Sequence, residues 1–125
     1  MGLKEKILAT IADDNIDFGI ALHHIESDEQ ILINEDTSYP TASVMKVPVM
    51  VEVFKQARAG KFDLNDRLTL QTKYKTLTTG VLLQLQDGLQ PSIRDLMMLM
   101  IIVSDNVATS MLMELVDPDN VTETM

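Results

Sequence analysis

Near the start of the chain Leu3, Ile7, Leu8 and Ile11 recur at helical spacing, which predicts a helix over residues 3–12 with one buried stripe. Asp13, Asp14 and Asn15 end it as a solvated turn in preference to a carboxylate site. The period then changes. Ile16, Phe18, Ile20 and Leu22 alternate with other residues and predict a strand, and Ile31 and Ile33 predict a second. Glu26-Ser27-Asp28-Glu29 between them reads as a hairpin turn. His23 and His24 are neighbours on the first strand, so they point to opposite faces and cannot share one metal ion. Two strands alone make a marginal sheet, so this hairpin is expected to need further partners.

Beyond the loop Asn34–Ser38 the apolar positions crowd together. Val47, Val49, Met50, Val51, Val53 and Phe54 surround a helix nearly completely, which predicts a central helix with Thr41 as N-cap and Gly60 at its C-terminal end. Pro48 lacks the N–H that would pair with the Val44 carbonyl, so the first turn should be loosened. Residues 61–75 read as loop, anchored by Leu64, Leu68 and Leu70. Asp63, Asn65 and Asp66 serve there as turn residues, because the glycine and later glutamate of a calcium loop are missing. Thr79-Gly80 to Gly88 contains a short apolar piece, Val81–Leu85. Ser92 and Asp95 form a capping box ahead of the apolar run Leu96–Val103, predicted to be a helix buried on all sides. That run stops at Ser104-Asp105-Asn106. Residues 107–116 predict the next helix, with Met111, Leu112 and Leu115 inward; Asp117-Pro118 breaks it, and Asn120-Val121-Thr122-Glu123 opens another.

Composition narrows the partners. A length of 125 residues suits one domain. A net charge of −9 argues against nucleic acid and against anionic membranes, since no basic stripe exists to meet phosphates. There is no cysteine, hence no disulfide framework or thiolate chemistry, and the nine methionines fall mostly on apolar helix faces as gap-fillers. The longest apolar run is too short to span a bilayer. The opening Met1–Lys6 is mixed in charge and unlike a signal peptide, which leaves the compartment undefined: cytoplasmic, or a mature chain freed of its leader.

Chemistry enters at Ser43 and Lys46, three residues apart and therefore on one helical face. A serine hydroxyl is a weak nucleophile until a base takes its proton, and a lysine in a partly dry site can act as that base. Free N–H groups at a helix N-terminus suit a developing oxyanion. By itself Ser-x-x-Lys has roughly even odds of arising by chance in a chain this long, and its bland reading is a capping serine with a solvated lysine. Ser104-Asp105-Asn106 is the rarer pattern. A buried helix delivers this turn into the interior, where a hydroxyl can relay protons and an amide can hold both a lysine and a substrate carbonyl.

Ser-x-x-Lys followed some sixty residues later by Ser-Asp-Asn resembles the class A serine β-lactamases. Lys46-Val47-Pro48, Ala59-Gly60, Thr79-Gly80, Asp87-Gly88, Arg94-Asp95-Leu96 and Ser104–Thr109 fall as in that family. The resemblance implies an α+β, β-lactamase/D,D-peptidase-like fold, a mixed α/β domain with an antiparallel sheet packed on an all-helical domain. Residues 1–39 would be the first helix and hairpin of the α/β domain, and residues 40–125 the first part of the helical domain. It implies Ser43 as the acylated nucleophile, its own N–H as an oxyanion donor, and Lys46 as the group that helps deprotonate it. Ser104 would shuttle a proton to the β-lactam nitrogen, Asn106 would bind the substrate's side-chain carbonyl and steady Lys46, and Asp105 would hold the turn. The implied substrate is a small β-lactam, with no cofactor and no metal.

The family's deacylating glutamate and its Lys-Thr-Gly strand have no counterpart in these 125 residues; Lys75-Thr76 runs on to Leu77. The expected hairpin would then have a bare edge and a bare apolar face. A second segment completing the fold is the favoured expectation, with self-association through the sheet edge and an inert fragment as alternatives. The competing functions are a penicillin-binding D,D-peptidase or esterase, and a sensor that is acylated without turnover.

Overall fold

The computed structural model describes residues 2–12, 15–76 and 79–125. Asp13 and Asp14 of the turn expected after the first helix, and Leu77 of the run after Lys75-Thr76, lie outside the described residues. Two compact units divide the chain, residues 1–40 and 41–125.

The first unit holds helix α1 (Leu3–Thr10) and an antiparallel hairpin of β1 (Ile20–His24) and β2 (Glu29–Ile33). Its register pairs Ile20 with Ile33, Leu22 with Ile31 and His24 with Glu29, which puts Ile20, Leu22, Ile31 and Ile33 on one face. Of these, Ile31 and Ile33 are buried, so that face is partly covered where a bare one was expected. The first strand begins four residues later than the alternation predicts. Beyond Ile33 the chain turns away at Asn34 (φ 51°), leaving residues 16–19 no strand to pair with; Asn34 Nδ2 instead donates to the Phe18 carbonyl at 2.7 Å. The stripe of α1 is not buried either: Ile7 and Ile11 are half-buried, and Leu3 and Leu8 exposed. An eight-residue helix beside two strands has too little surface to cover its own apolar face. His23 contacts Asp28 at 2.8 Å and His24 contacts Ser27 at 2.8 Å, both on the surface.

The second unit is helical. A 3₁₀ turn (Ala42–Met45) leads into α2 (Lys46–Arg58), followed by α3 (Ile93–Ile102), α4 (Asn106–Val116) and α5 (Pro118–Thr124). Val49, Val53, Leu70, Leu82, Leu96, Met100, Val107, Met111 and Leu112 form the centre of its core. The capping box is in place, with Ser92 Oγ accepting from Asp95 N and Asp95 Oδ2 accepting from Ser92 N, each at 3.1 Å. Pro118 opens α5 where its missing N–H costs nothing. Between α2 and α3, Leu70 N donates to the Leu89 carbonyl and Gly88 N to the Leu70 carbonyl, which ties the long loop to the segment ahead of α3.

Two helices differ from expectation. On α2 the buried stripe is Lys46, Val49, Glu52, Val53 and Gln56, while Val47, Val51 and Phe54 are exposed. On α3 Leu96, Met97 and Met100 are buried, but Met98, Ile101 and Ile102 are exposed, as is Val103 just beyond its end. Helices apolar all round have two faces to cover, and α4 and α5 cover one. A cavity of about 330 Å³ lies on the open side, lined by Met50, Phe54, Met97 and Ile101 among others, with Arg94 as its charged member.

Leu112 is fully buried in the core of this unit. Leu112→Ala removes that packing and leaves a cavity, so urea unfolding should show a loss of about 2–5 kcal/mol. Buried polar groups hold α5 in place. The Glu52 carboxylate accepts from Thr124 Oγ1 and, at 2.8 Å, from Gln56 Nε2, while Gln56 also donates to the Val116 carbonyl at 2.8 Å. The Thr124 hydroxyl, then Gln56, then Lys55 hold the Glu52 carboxyl below its ordinary value of 4.5, against the opposing effect of burial. A lowered folded-state value stabilises above the unfolded value and is lost as pH falls through the folded one. Urea midpoints measured from neutral pH downward should therefore fall in acid, and Glu52→Gln should flatten the part of that fall below pH 4.5.

Candidate active site

Ser43 lies in the 3₁₀ turn that precedes α2, where the sequence pattern predicts the first turn of an α-helix capped by Thr41. Thr41 has helical backbone angles and makes no side-chain cap bond. Ala42, just before the serine, is left-handed at φ 45°, a costly conformation for a residue with a Cβ. Val44 N donates to the Thr41 carbonyl at 3.0 Å in a tighter i→i+3 closure, and Lys46 N reaches the Ser43 and Val44 carbonyls, so the Val44 carbonyl that Pro48 cannot serve keeps a partner. Side chains three apart nearly eclipse in such a turn, which brings Lys46 back over Ser43.

The second contributor is the junction between α3 and α4. Ser104 is left-handed (φ 56°), Asp105 is the N-cap of α4 and Asn106 its first residue. Asp105 is fully buried and holds two backbone groups: Oδ1 accepts from Ala108 N and Oδ2 from Leu82 N, each at 2.9 Å. Gly80 makes this clamp feasible. At φ 146° any Cβ there would come within 2.5 Å of the Asp105 carboxylate.

All four residues singled out in the sequence meet in one cluster. Ser43 Oγ and Ser104 Oγ are 2.8 Å apart. Lys46 is buried, with Nζ donating to the Ser104 carbonyl at 2.7 Å, Ser104 Oγ at 2.7 Å and Asn106 Oδ1 at 2.8 Å. Ser43 Oγ is its most distant partner, at 3.4 Å. An ammonium has three N–H groups, so the three short bonds use them all. A neutral amine would have a lone pair to offer, and a proton leaving Ser43 could reach it directly or through the Ser104 hydroxyl. Asn106 Nδ2 donates to Thr79 Oγ1 at 2.6 Å, and Asn106 N donates to the Thr79 carbonyl at 3.1 Å. The sequence pattern marks Thr79-Gly80 but gives no role to Thr79; a hydroxyl immediately before an obligatory glycine was the available signal.

Ser43 is exposed and stands at the mouth of a cavity of about 330 Å³ lined by Lys46, Asn106, Thr109, Ser110 and Met113. The site therefore joins an accessible hydroxyl to a dry amine, the pairing that acyl transfer requires. Among the described residues no group of three or more His, Cys, Asp or Glu side chains could hold a metal ion, and no helix is long and apolar enough to cross a membrane.

Residues 2–125 match the model of the Beta-lactamase enzyme family. The extended-spectrum β-lactamase PER-1 of Pseudomonas aeruginosa is 30% identical over 117 residues, covering 91% of this chain and 38% of that protein. A β-lactamase structure from Sphaerobacter thermophilus is similar at 39% identity and TM-score 0.74, over 78% of this chain and 37% of the other. PBP-A is similar at 25% identity and TM-score 0.90, over 98% of this chain and 47% of its own. The chain thus spans less than half the length of these relatives. Its helices and small antiparallel sheet have the β-lactamase-like fold, and the chain belongs to the β-lactamase enzyme family.

Proposed function

We propose that Ser43 opens β-lactam rings by forming an acyl-enzyme, in the manner of a class A serine β-lactamase. The observation that carries the reading is the buried Lys46 amine, set within hydrogen-bond reach of the hydroxyls of Ser43 and Ser104 and of the Asn106 carbonyl. In the proposed step Ser43 Oγ bonds to the lactam carbonyl carbon and the ring C–N bond breaks. The Ser43 proton passes to Lys46, and a proton reaches the leaving nitrogen through Ser104, so charge and protons balance. The Ser43 N–H faces the developing oxyanion, and Asn106 meets the acylamino carbonyl of the substrate. Water then hydrolyses the ester. Residues 1–39 would supply part of an α/β domain and residues 40–125 part of a helical one, with groups from a further segment completing deacylation.

A second reading, acylation without turnover, is favoured by one comparison. A variant of PBP-A, similar to this chain at TM-score 0.90, was determined as an acyl-enzyme complex with penicillin G. Incubating the 125-residue chain with benzylpenicillin, and following both intact mass and lactam consumption, tests the acylation that both readings share. A persistent single adduct supports that shared step, and consumption beyond one equivalent supports the hydrolase over acylation alone. A folded chain with neither overturns both.

A further inference from the structure

Resting on that reading of Ser43, we infer that Thr79 is a positioning residue for acylation: its hydroxyl, accepting from Asn106 Nδ2, restrains the side chain whose amide oxygen receives Lys46 Nζ. The two ends of a carboxamide are nearly equal in size, so packing alone does not choose between its two orientations; the donor-only Lys46 ammonium does, while a hydroxyl, which can accept or donate, fits either end and restrains the position of the amide. Among the described residues Asn106 has one side-chain partner at each end of its amide, Lys46 Nζ at 2.8 Å from Oδ1 and Thr79 Oγ1 at 2.6 Å from Nδ2. Turned over, the amide would set N–H groups against an amine that donates to every neighbour it has. Lys46 would then lose one of its three short bonds, and with it the restraint that keeps Nζ between Ser43 and Ser104.

Thr79 is well placed to hold the amide still against Lys46 because its backbone is itself fixed to the same turn. The Thr79 carbonyl accepts from Asn106 N, Leu82 N donates to Asp105, and Gly80 lets the two segments touch. The hydroxyl is exposed and competes with water, so removing it should slow acylation by about threefold to tenfold, well short of abolishing it.

The test compares the wild-type chain with Thr79→Val, which keeps the shape and loses the hydroxyl, and Thr79→Ser, which keeps the hydroxyl. The first measurement is the rate of adduct formation with benzylpenicillin by intact mass. The second is the proton–nitrogen spectrum of the Asn106 side-chain amide, where a hydrogen bond from one N–H separates the two proton shifts and slows exchange. The expected result is slower acylation and a collapsed shift difference in Thr79→Val, with both restored in Thr79→Ser. If the wild type is acylated and Thr79→Val matches it, the inference is overturned and the reading of Ser43 stands. If the wild type is not acylated but its Asn106 signal depends on Thr79, the reading of Ser43 is overturned and the positioning stands. With neither acylation nor that dependence, both are overturned.

Discussion

Ser43→Ala, incubated with benzylpenicillin, is expected to keep its unmodified mass while the wild-type chain gains one adduct. The effect should be complete, because no second hydroxyl in the cluster is equivalent. Ser104 Oγ is 2.8 Å from Ser43 Oγ, but it receives a bond from Lys46 at 2.7 Å and sits on a residue whose backbone carbonyl is bound by the same amine. Ser104 is also only partly accessible, whereas Ser43 is exposed at the cavity mouth. Oγ of Ser43 has its proton acceptors beside it and solvent in front of it, which is the geometry of an attacking group. An adduct that persists in Ser43→Ala would move the nucleophile elsewhere, and peptide mapping would show where.

Lys46→Ala should slow acylation by roughly 10²–10⁴-fold, the usual contribution of a positioned general base. It should also destabilise the fold, since the amine satisfies the Ser104 carbonyl and Asn106 Oδ1 in a partly buried setting, and an acceptor left unpaired there costs up to about 1–3 kcal/mol. The two effects are separable. Lys46→Met fills most of the volume but leaves the same two acceptors unpaired, so a Lys46→Met chain that is shown to be folded under assay conditions yet acylates as slowly as Lys46→Ala assigns the rate loss to chemistry. Lys46→Arg is not a rescue, because a planar fork cannot direct donors at three separate oxygens as an ammonium does. Acylation at the wild-type rate in a folded Lys46→Met chain would remove Lys46 from the proton path.

The sequence made the cluster legible because its members are spaced by rules that survive folding. Ser43 and Lys46 are one turn apart whether that turn is α or 3₁₀, and a polar triplet between two apolar helices can only be a junction. The Ser92–Asp95 box and the stop at Asp117-Pro118 are equally local, with each signal and its partner within a few residues. What the pattern missed depends on distant surfaces. Periodicity shows that α2 and α3 are apolar all round, yet not which face meets a neighbour, and Val51 and Ile102 turn out exposed while Glu52 is buried. The first strand starts at Ile20 because of where β2 ends, a fact held by Asn34 and not by the residues of β1. The contact of Thr79 with Asn106 joins residues 27 positions apart, and no local rule reaches that far.

Gly80 also limits how this sequence can drift. Gly60 has φ 77° and nothing within 4 Å of a would-be Cβ, so a residue tolerant of left-handed angles, such as asparagine, can replace it at the cost of some backbone strain alone. At position 80 strain and collision coincide, and the atoms struck belong to a buried carboxylate that cannot move without dropping Leu82 and Ala108. Altering Asp105 would lift the collision but leave the strain, so position 80 has no single compensating partner. The restriction lies on position 80 itself, even where the rest of the loop is free to vary.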